Sequence, residues 1–364
     1  LRWRFIKNGE EVAMCKARAS ERGGVFTVHR TRERKYATQQ MAAYPQFWGF
    51  MSILITGVTG FVGDHLLEYT AGQTERIYGI GHIAVDTSYA HYKHFQLFTT
   101  DLRDDLGINS VVRKAQPDIV YHLAGVASVK KFDADITASF EINTNGSLHL
   151  FEAVRQHSPK SKIVFISSGE VYGEVDKKNL PVTEETSIAP TNLYGVSKAS
   201  AELLALNYWK NYGVDITILR PFNHIGPGQS TDFVTASFAK QIAQIKKNKK
   251  EPVLEVGNVE VKRDFTDVRD IVRAYDLAAK KCGGGEVYNV SSGTLYTISE
   301  ILDKMIALAQ IKVEIKESAD RVRKHDIDYV WGSPKKFMSK TGWKPRYKIE
   351  DTLRDLLAYW MERT

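Results

Sequence analysis

The sequence holds only two cysteines in 364 residues, Cys15 and Cys282. They are too few and too far apart for a disulfide framework or a thiolate metal site, and a reducing compartment, the cytoplasm, is the natural setting. Long apolar runs are missing as well. None approaches the roughly 18–20 residues that span a bilayer, and no charged segment leads into an apolar core as in a secretory signal. The expectation is a soluble protein without a membrane partner. No HExxH, no CxxC and no spaced carboxylate–histidine cluster occurs, so no catalytic metal is expected. Internal repeats and low-complexity tracts are also absent, which sets aside solenoids and linker-type chains.

Net charge is scarce where it would matter. The formal charge of +7 suggests a nucleic-acid binder until its position is read. Residues 1–50 carry ten Lys and Arg against four Glu, which leaves 40 basic against 39 acidic side chains in the remainder. A nearly neutral body lacks the clustered basic face that a phosphate backbone requires. Residues 1–50 also lack a sustained helical or strand period. They are expected to be an extension outside the functional fold, which then starts at Met51; their four glutamates weaken the reading of an Arg-rich targeting peptide.

From Met51 onward, short apolar runs alternate with amphipathic stretches, the pattern of stacked βαβ units and a parallel sheet. Strands are predicted at 52–56, 76–80, 95–98, 119–123, 163–166 and 216–219. Helices are predicted at 61–69, 108–115, 136–156 and 193–212. The fold class is α/β, a Rossmann-type doubly wound parallel sheet with a smaller C-terminal substrate-binding lobe. Residues 51–222 form the dinucleotide-binding domain and 223–364 mainly the lobe, with 286–290 returning to the sheet and helices at 298–308 and 349–359. The run Lys246-Lys247-Asn248-Lys249-Lys250 reads as a solvated helix end.

The loop Gly57-Val58-Thr59-Gly60-Phe61-Val62-Gly63 follows an apolar strand and opens an amphipathic helix. Glycines let the backbone turn tightly and approach a pyrophosphate, whose charge meets free N–H groups at the helix start. By itself the loop also suits an ordinary tight turn. Two later segments support a dinucleotide: Asp101-Leu102, placed to meet an adenine, and Leu123-Ala124-Gly125, a small-residue shelf, both at carboxyl ends of strands. The second strand ends Tyr78-Gly79-Ile80-Gly81-His82 with no acid before Asp86. An acid there would disfavour a 2′-phosphate, so NADP(H) is preferred and NAD(H) remains open.

Tyr194-Gly195-Val196-Ser197-Lys198 puts a phenol and an ammonium one turn apart on a helix face. A neighbouring ammonium is expected to lower the phenol from its reference value of about 10 toward working pH. Tyr194 is then a general acid or base for a carbonyl/alcohol interconversion. Ser168, at a strand end, is placed to donate a hydrogen bond to the substrate oxygen, whereas Ser167 better suits strand-end backbone groups.

These motifs, with Ser167-Ser168-Gly169-Glu170-Val171-Tyr172-Gly173, Arg220-Pro221-Phe222-Asn223-His224-Ile225-Gly226-Pro227-Gly228-Gln229, Arg263-Asp264-Phe265-Thr266-Asp267-Val268-Arg269-Asp270 and Thr341-Gly342-Trp343-Lys344-Pro345, resemble the nucleotide-sugar branch of the extended short-chain dehydrogenase/reductases. The resemblance runs from Met51 to about Trp360. It implies hydride transfer to the C4 ketone of GDP-4-dehydro-6-deoxy-D-mannose, giving GDP-D-rhamnose, with the C4 epimer GDP-6-deoxy-D-talose left open. Tyr194 would protonate the oxygen, Lys198 hold the nicotinamide ribose and Ser168 polarise the ketone. Similar dehydratases carry Asp-Glu or Ser-Glu where this chain has Gly169-Glu170, so the base at Glu170 is retained but the acid that would protonate a departing C6 hydroxyl is missing. A 4,6-dehydratase or an epimerase is therefore the rival enzyme. A non-catalytic NADP-binding regulator is disfavoured by the intact Ser168, Tyr194 and Lys198.

By the same resemblance Asn223 contacts the sugar diphosphate, Arg263 reaches the phosphates, the Val234 region flanks the guanine, and Lys240, Arg323 and Asp326 join them. A surface salt bridge suits Lys240, Arg323 and Asp326 equally well, and Lys324 stands where a proline is usual. A homodimer paired through helices 136–156 and 193–212 is implied.

Overall fold

The computed structural model describes residues 6–7, 10–11, 51–74, 76–82, 89, 91–321 and 327–364. Within the first unit, 1–45, Ile6–Lys7 and Glu10–Glu11 pair antiparallel; the expectation for residues 1–50 otherwise concerns residues outside the described ones. Arg323, Lys324, Asp326 and Asp86 also lie outside them.

In the second unit, β1 (Ser52–Thr56), β2 (Arg76–Gly81), β3 (Phe95–Thr99), β4 (Ile119–His122), β5 (Lys162–Ile166) and β6 (Asp215–Pro221) form a parallel sheet in the order 3-2-1-4-5-6. β1 and β4 are buried along their whole length, as central strands covered on both faces must be. Side chains alternate between the two faces. Ile53 and Ile55 pack with Leu66 and Leu67 of α1 (Phe61–Ala71), whereas Leu54 joins Ile108 and Val112 of α2 (Asp105–Ala115). The segment predicted as one helix over 136–156 instead comprises α3 (Ile136–Phe140), a π turn (Glu141–Asn145) and α4 (Gly146–His157). α5 (Leu193–Tyr212) begins at the side-chain cap Asn192 and stops at Gly213, whose φ of +70° favours glycine.

Beyond Pro221 the chain also forms short strands that the sequence reading did not resolve. β7 (Asn223–Ile225) pairs with β8 (Lys262–Asp267), which also pairs with the strands Leu295–Thr297 and Tyr329–Val330. Val287–Val290 pairs parallel with β6 and becomes the seventh strand of the main sheet. Helices Val234–Lys246, Ile298–Ala309 and Ile349–Arg363 share a separate apolar core around Phe238, Ile301, Met305 and Leu356. The amphipathic helix Val268–Lys281 was also missed; it packs Ile271 and Tyr275 under the main sheet. Lys246 to Lys249 are exposed at a helix end, as a solvated run should be. Among the described residues no helix is long and apolar enough to cross a membrane.

Candidate active site

β1 and β4 are neighbours, and the connections after them leave toward opposite faces of the sheet, which opens a crevice at their carboxyl ends. The glycine loop lies there. Gly57 has φ +70°, and a Cβ on it would stand 2.8 Å from the Ala124 Cα. On Gly63 a Cβ would come within 2.2 Å of the Gly57 carbonyl oxygen. Side chains here would push loop, helix and shelf apart. Gly60 caps α1 without a side-chain hydrogen bond, so the N–H groups of the first turn are left to a ligand. A cradle that excludes Cβ atoms and offers bare N–H donors fits a dinucleotide pyrophosphate. Thr59 packs beside Gly81 at the end of β2, and Leu123 beside Ala124 is partly buried.

Phe61, the first residue of α1, stacks on His224 with centroids 6.2 Å apart and planes 11° apart, and meets His65 edge-on at 5.5 Å. The His65 Nε2 lies 2.8 Å from the Pro227 carbonyl. The glycine loop is thus tied to the Asn223–Gln229 segment. Leu102 is buried, with its carbonyl accepting from His149 at 2.9 Å. The Asp101 carboxylate is gripped by Arg103, through Nε at 3.0 Å and Nη2 at 2.7 Å. That arginine lowers it below the usual carboxylate range. His82 is exposed at the end of β2.

Ser168, Tyr194 and Lys198 come together where the carboxyl end of β5 meets the start of α5. Asn192 orients this corner: its Oδ1 accepts the Gly195 N–H at 2.8 Å, and its Nδ2 donates to the Glu170 carboxylate at 2.8 Å. Glu170 therefore bonds a side-chain amide. Ser168 Oγ accepts from the Glu170 N–H at 3.1 Å and hydrogen-bonds the Tyr194 phenol. Lys198 Nζ donates to the Ile166 carbonyl at 2.8 Å.

The expected lowering of the phenol is corrected here. Burial pushes Tyr194 up to about 12, with Ser168 opposing and Glu170 adding to the rise. Lys198 is itself buried, which draws its ammonium down to about 8 against the pull of Glu202. Dehydration thus outweighs the Ser168 hydrogen bond at the phenol. A phenol that keeps its proton is the form a general acid needs.

Sequence reasoning missed two supports of this corner. Asn143, on the π turn, accepts from the Val126 N–H at 2.7 Å and donates to Ser197 Oγ at 3.0 Å. Nothing in the residue types marks a π turn. Glu202 continues the 194–198 row by one more turn, a spacing the sequence did carry. Its carboxylate takes Arg220 through Nε at 3.0 Å and Nη2 at 2.6 Å, and it accepts from Ser167 Oγ. The serine assigned to backbone groups therefore serves a buried carboxylate.

Next to Ser168, a narrow cleft is lined by Gly169, Glu170, Tyr172, Phe222, Tyr329 and Trp331 among others. A Cβ on Gly169 would sit 3.1–3.2 Å from the Phe222 ring. Asn223 follows Phe222 on β7 and pairs with Phe265. Arg263 is buried and donates to the carbonyls of Lys262 at 2.9 Å and Ile327 at 2.7 Å. Val234 is half-exposed at a helix start without a side-chain cap. The Lys240 ammonium lies 5.6 Å from the ring centroid of Trp360 on the last helix.

Residues 54–356 match the sequence model of the family described as GDP-mannose 4,6 dehydratase. The chain belongs to that family. It is 37% identical over 314 residues to the GDP-6-deoxy-D-mannose reductase of Pseudomonas aeruginosa, across 85% of this chain and 97% of the relative. It is similar in structure to RMD from Pseudomonas aeruginosa complexed with NADPH, with a TM-score of 0.76 and 36% identity over 86% of this chain and all of that one. UDP-glucose 4-epimerase of Thermus thermophilus, solved with NAD, gives a TM-score of 0.75 and 30% identity over 85% and 99%. The Rossmann-type α/β class and membership in the short-chain dehydrogenase/reductase nucleotide-sugar branch stand as read from the sequence.

Proposed function

We propose that this protein is an NADP(H)-dependent oxidoreductase that reduces the C4 ketone of GDP-4-dehydro-6-deoxy-D-mannose to GDP-D-rhamnose, the activity for which its Pseudomonas relative is named. The observation that carries this reading is Gly169 against Phe222. A proton donor for a departing C6 hydroxyl is missing at that position, and the ring face 3.1–3.2 Å away crowds even a Cβ. Reduction needs no such donor. NADPH in the RMD structure and the absence of an acid from Tyr78 to His82 support NADP(H) over NAD(H).

When bound, the dinucleotide supplies the hydride. Gly57, Thr59, Gly60, Phe61, Val62 and Gly63 would cradle its pyrophosphate, with Asp101, Leu102, Leu123, Ala124 and Gly125 along the rest. Ser168 donates a hydrogen bond to the ketone oxygen, stabilising charge as it develops. Tyr194 delivers its proton to that oxygen, and Lys198 stands behind it at the ribose. Asn223 and Arg263 hold the sugar diphosphate, the Val234 region flanks the guanine, and Lys240, Arg323 and Asp326 complete the same assignment. Residues 51–222 then act as the dinucleotide domain and 223–364 as the substrate lobe, with 286–290 in the sheet. A cytoplasmic homodimer paired through the 136–156 and 193–212 helices belongs to the same proposal, supported by Leu203, which is 65% exposed on the second of them.

The test is stoichiometric NADPH oxidation on mixing the protein with GDP-4-dehydro-6-deoxy-D-mannose. Glu170 beside Tyr194 keeps the dehydratase as second reading, and conversion of GDP-mannose to a ketone without NADPH oxidation would establish it instead. Tyr194→Phe should cut turnover by about 10²–10⁴-fold while NADPH still binds. Undiminished turnover would remove the phenol from the mechanism.

A further inference from the structure

Lys198 is 5% exposed, and burial of that degree strips an ammonium of the hydration that keeps it charged. Its protein hydrogen bond, to the Ile166 carbonyl, is available to an amine as well as to an ammonium. The groups facing it from each packed element decide its charge. From β4, His122 is buried and pushed down to about 3, and its ring nitrogens are taken by Thr56 Oγ1 at 2.8 Å and Ser147 Oγ at 2.9 Å, so it is neutral. From β5 come the Phe165 ring, 5.5 Å from Nζ, and the Ile166 carbonyl. The π turn contributes Asn143, which carries no charge. Along α5 itself, Tyr194 keeps its proton, and Glu202 lies one turn on. Glu170 reaches the same corner but is coupled to Tyr194.

Glu202 is fully buried, which is costly for a carboxylate unless its oxygens are satisfied. They are, by Arg220 from β6 and by Ser167. Arg220 is fixed in turn: Nη1 donates to the Tyr172 hydroxyl at 2.9 Å, and that hydroxyl donates to Asn289 Oδ1 at 2.7 Å. Tyr172 lines the cleft next to Ser168. The carboxylate is therefore held at a fixed place in the 194–198–202 row. We propose that Glu202 is a positioning residue that acts through Lys198: clamped by Arg220 and Ser167, its carboxylate keeps the Lys198 amino group in the ammonium form inside the dry corner beside Tyr194. The proposal rests on the reductase reading for its meaning, since an ammonium there is what would hold a ribose and favour proton delivery by the phenol.

The sign follows from the charges. Loss of the carboxylate removes what favours the ammonium, so Lys198 gives up its proton at lower pH. In full-length protein labelled with ¹³C-lysine, the Lys198 Cε resonance, identified by its absence from Lys198→Arg, reports this without cofactor. The titration midpoint should fall by about one pH unit in Glu202→Gln and be largely restored in Glu202→Asp. Glu202→Gln also leaves Arg220 uncompensated. The double variant Glu202→Gln/Arg220→Gln removes both charges, and the midpoint should still fall; it also serves if the single variant does not fold. An unchanged midpoint in the double variant overturns the proposal. In the NADPH-oxidation assay the alkaline limb of the pH–rate profile should move the same way. If the midpoint moves but no GDP-ketone is reduced, the reductase reading fails and the role of Glu202 stands.

Discussion

The two loops that meet at Phe61 are built on opposite principles. The Gly57–Gly63 loop is shaped by missing side chains: a Cβ on Gly57 or Gly63 would strike backbone at 2.8 or 2.2 Å. The Asn223–Gln229 segment is shaped by its partners. It pairs with Phe265–Asp267, Gln229 Nε2 donates to the His224 carbonyl at 2.8 Å, and the His224 ring lies on Phe61. The backbone proposed to approach a phosphate is specified locally, whereas the surface proposed to recognise a sugar nucleotide is assembled from distant strands. The first kind tolerates almost no substitution, and the second depends on tertiary contacts whose strength varies with conditions.

Three changes would break or sharpen this contrast. The largest effect is expected from Gly63→Ala. Its methyl group must displace the Gly57 carbonyl or the helix, costing about 2–3 kcal/mol of stability and raising the NADPH Kd at least about tenfold, while GDP affinity stays within about twofold. Equal losses for both ligands in calorimetric titrations would mean that the loops are not separately specified.

Next comes a pH effect confined to β8. Asp264, beside Arg263 on β8, is fully buried and accepts from the Ser292 and Gly293 N–H groups, both at 2.8 Å, and from Ser292 Oγ at 2.6 Å. Burial pushes its carboxyl up to about 6 against those bonds, above the roughly 3.9 of an unfolded chain. The folded state keeps this proton longer than the unfolded state does, so the stabilisation is complete below about pH 4 and is lost as pH rises through about 6. Asp264→Asn should flatten that part of the stability–pH curve by roughly 2–3 kcal/mol, read by denaturant unfolding at pH 4 and 7. An unchanged slope would exclude Asp264 as its source.

The smallest change is Phe61→Leu, which keeps apolar volume but loses the stack on His224 and the edge contact with His65. About 1 kcal/mol of stability should go with them. If the two loops communicate only through this ring, the tightening of GDP binding by NADPH should shrink in the variant. Equal tightening in both proteins would show the loops to be independent.

Much of the cofactor half was legible because its determinants are local. Alternating apolar runs give strands covered on both faces, and glycines at fixed spacing give the loop. A phenol and an amine four residues apart share a helix face. The lobe was harder to read: β7, β8 and the short strands beside them are only three to six residues long, or two in the case of Tyr329–Val330, and gain their stability from each other. The Lys262–Asp267 strand also carries charged residues that mask its pattern, although Asp264 and Arg263 are buried by partners from Ser292–Gly293 and Ile327–Asp328.

The sequence by itself determined the sheet, the glycine cradle, the Ser168–Tyr194–Lys198 set and the bare Gly169, because each depends on residue type at short range. Only the tertiary structure decided the protonation of that set. Burial is a sum over distant neighbours, and it reversed the expected direction at Tyr194, pushing it up to about 12. The same packing turned Ser167, Glu202 and Arg220, from a strand end, a helix and the adjoining strand, into one buried group behind the lysine.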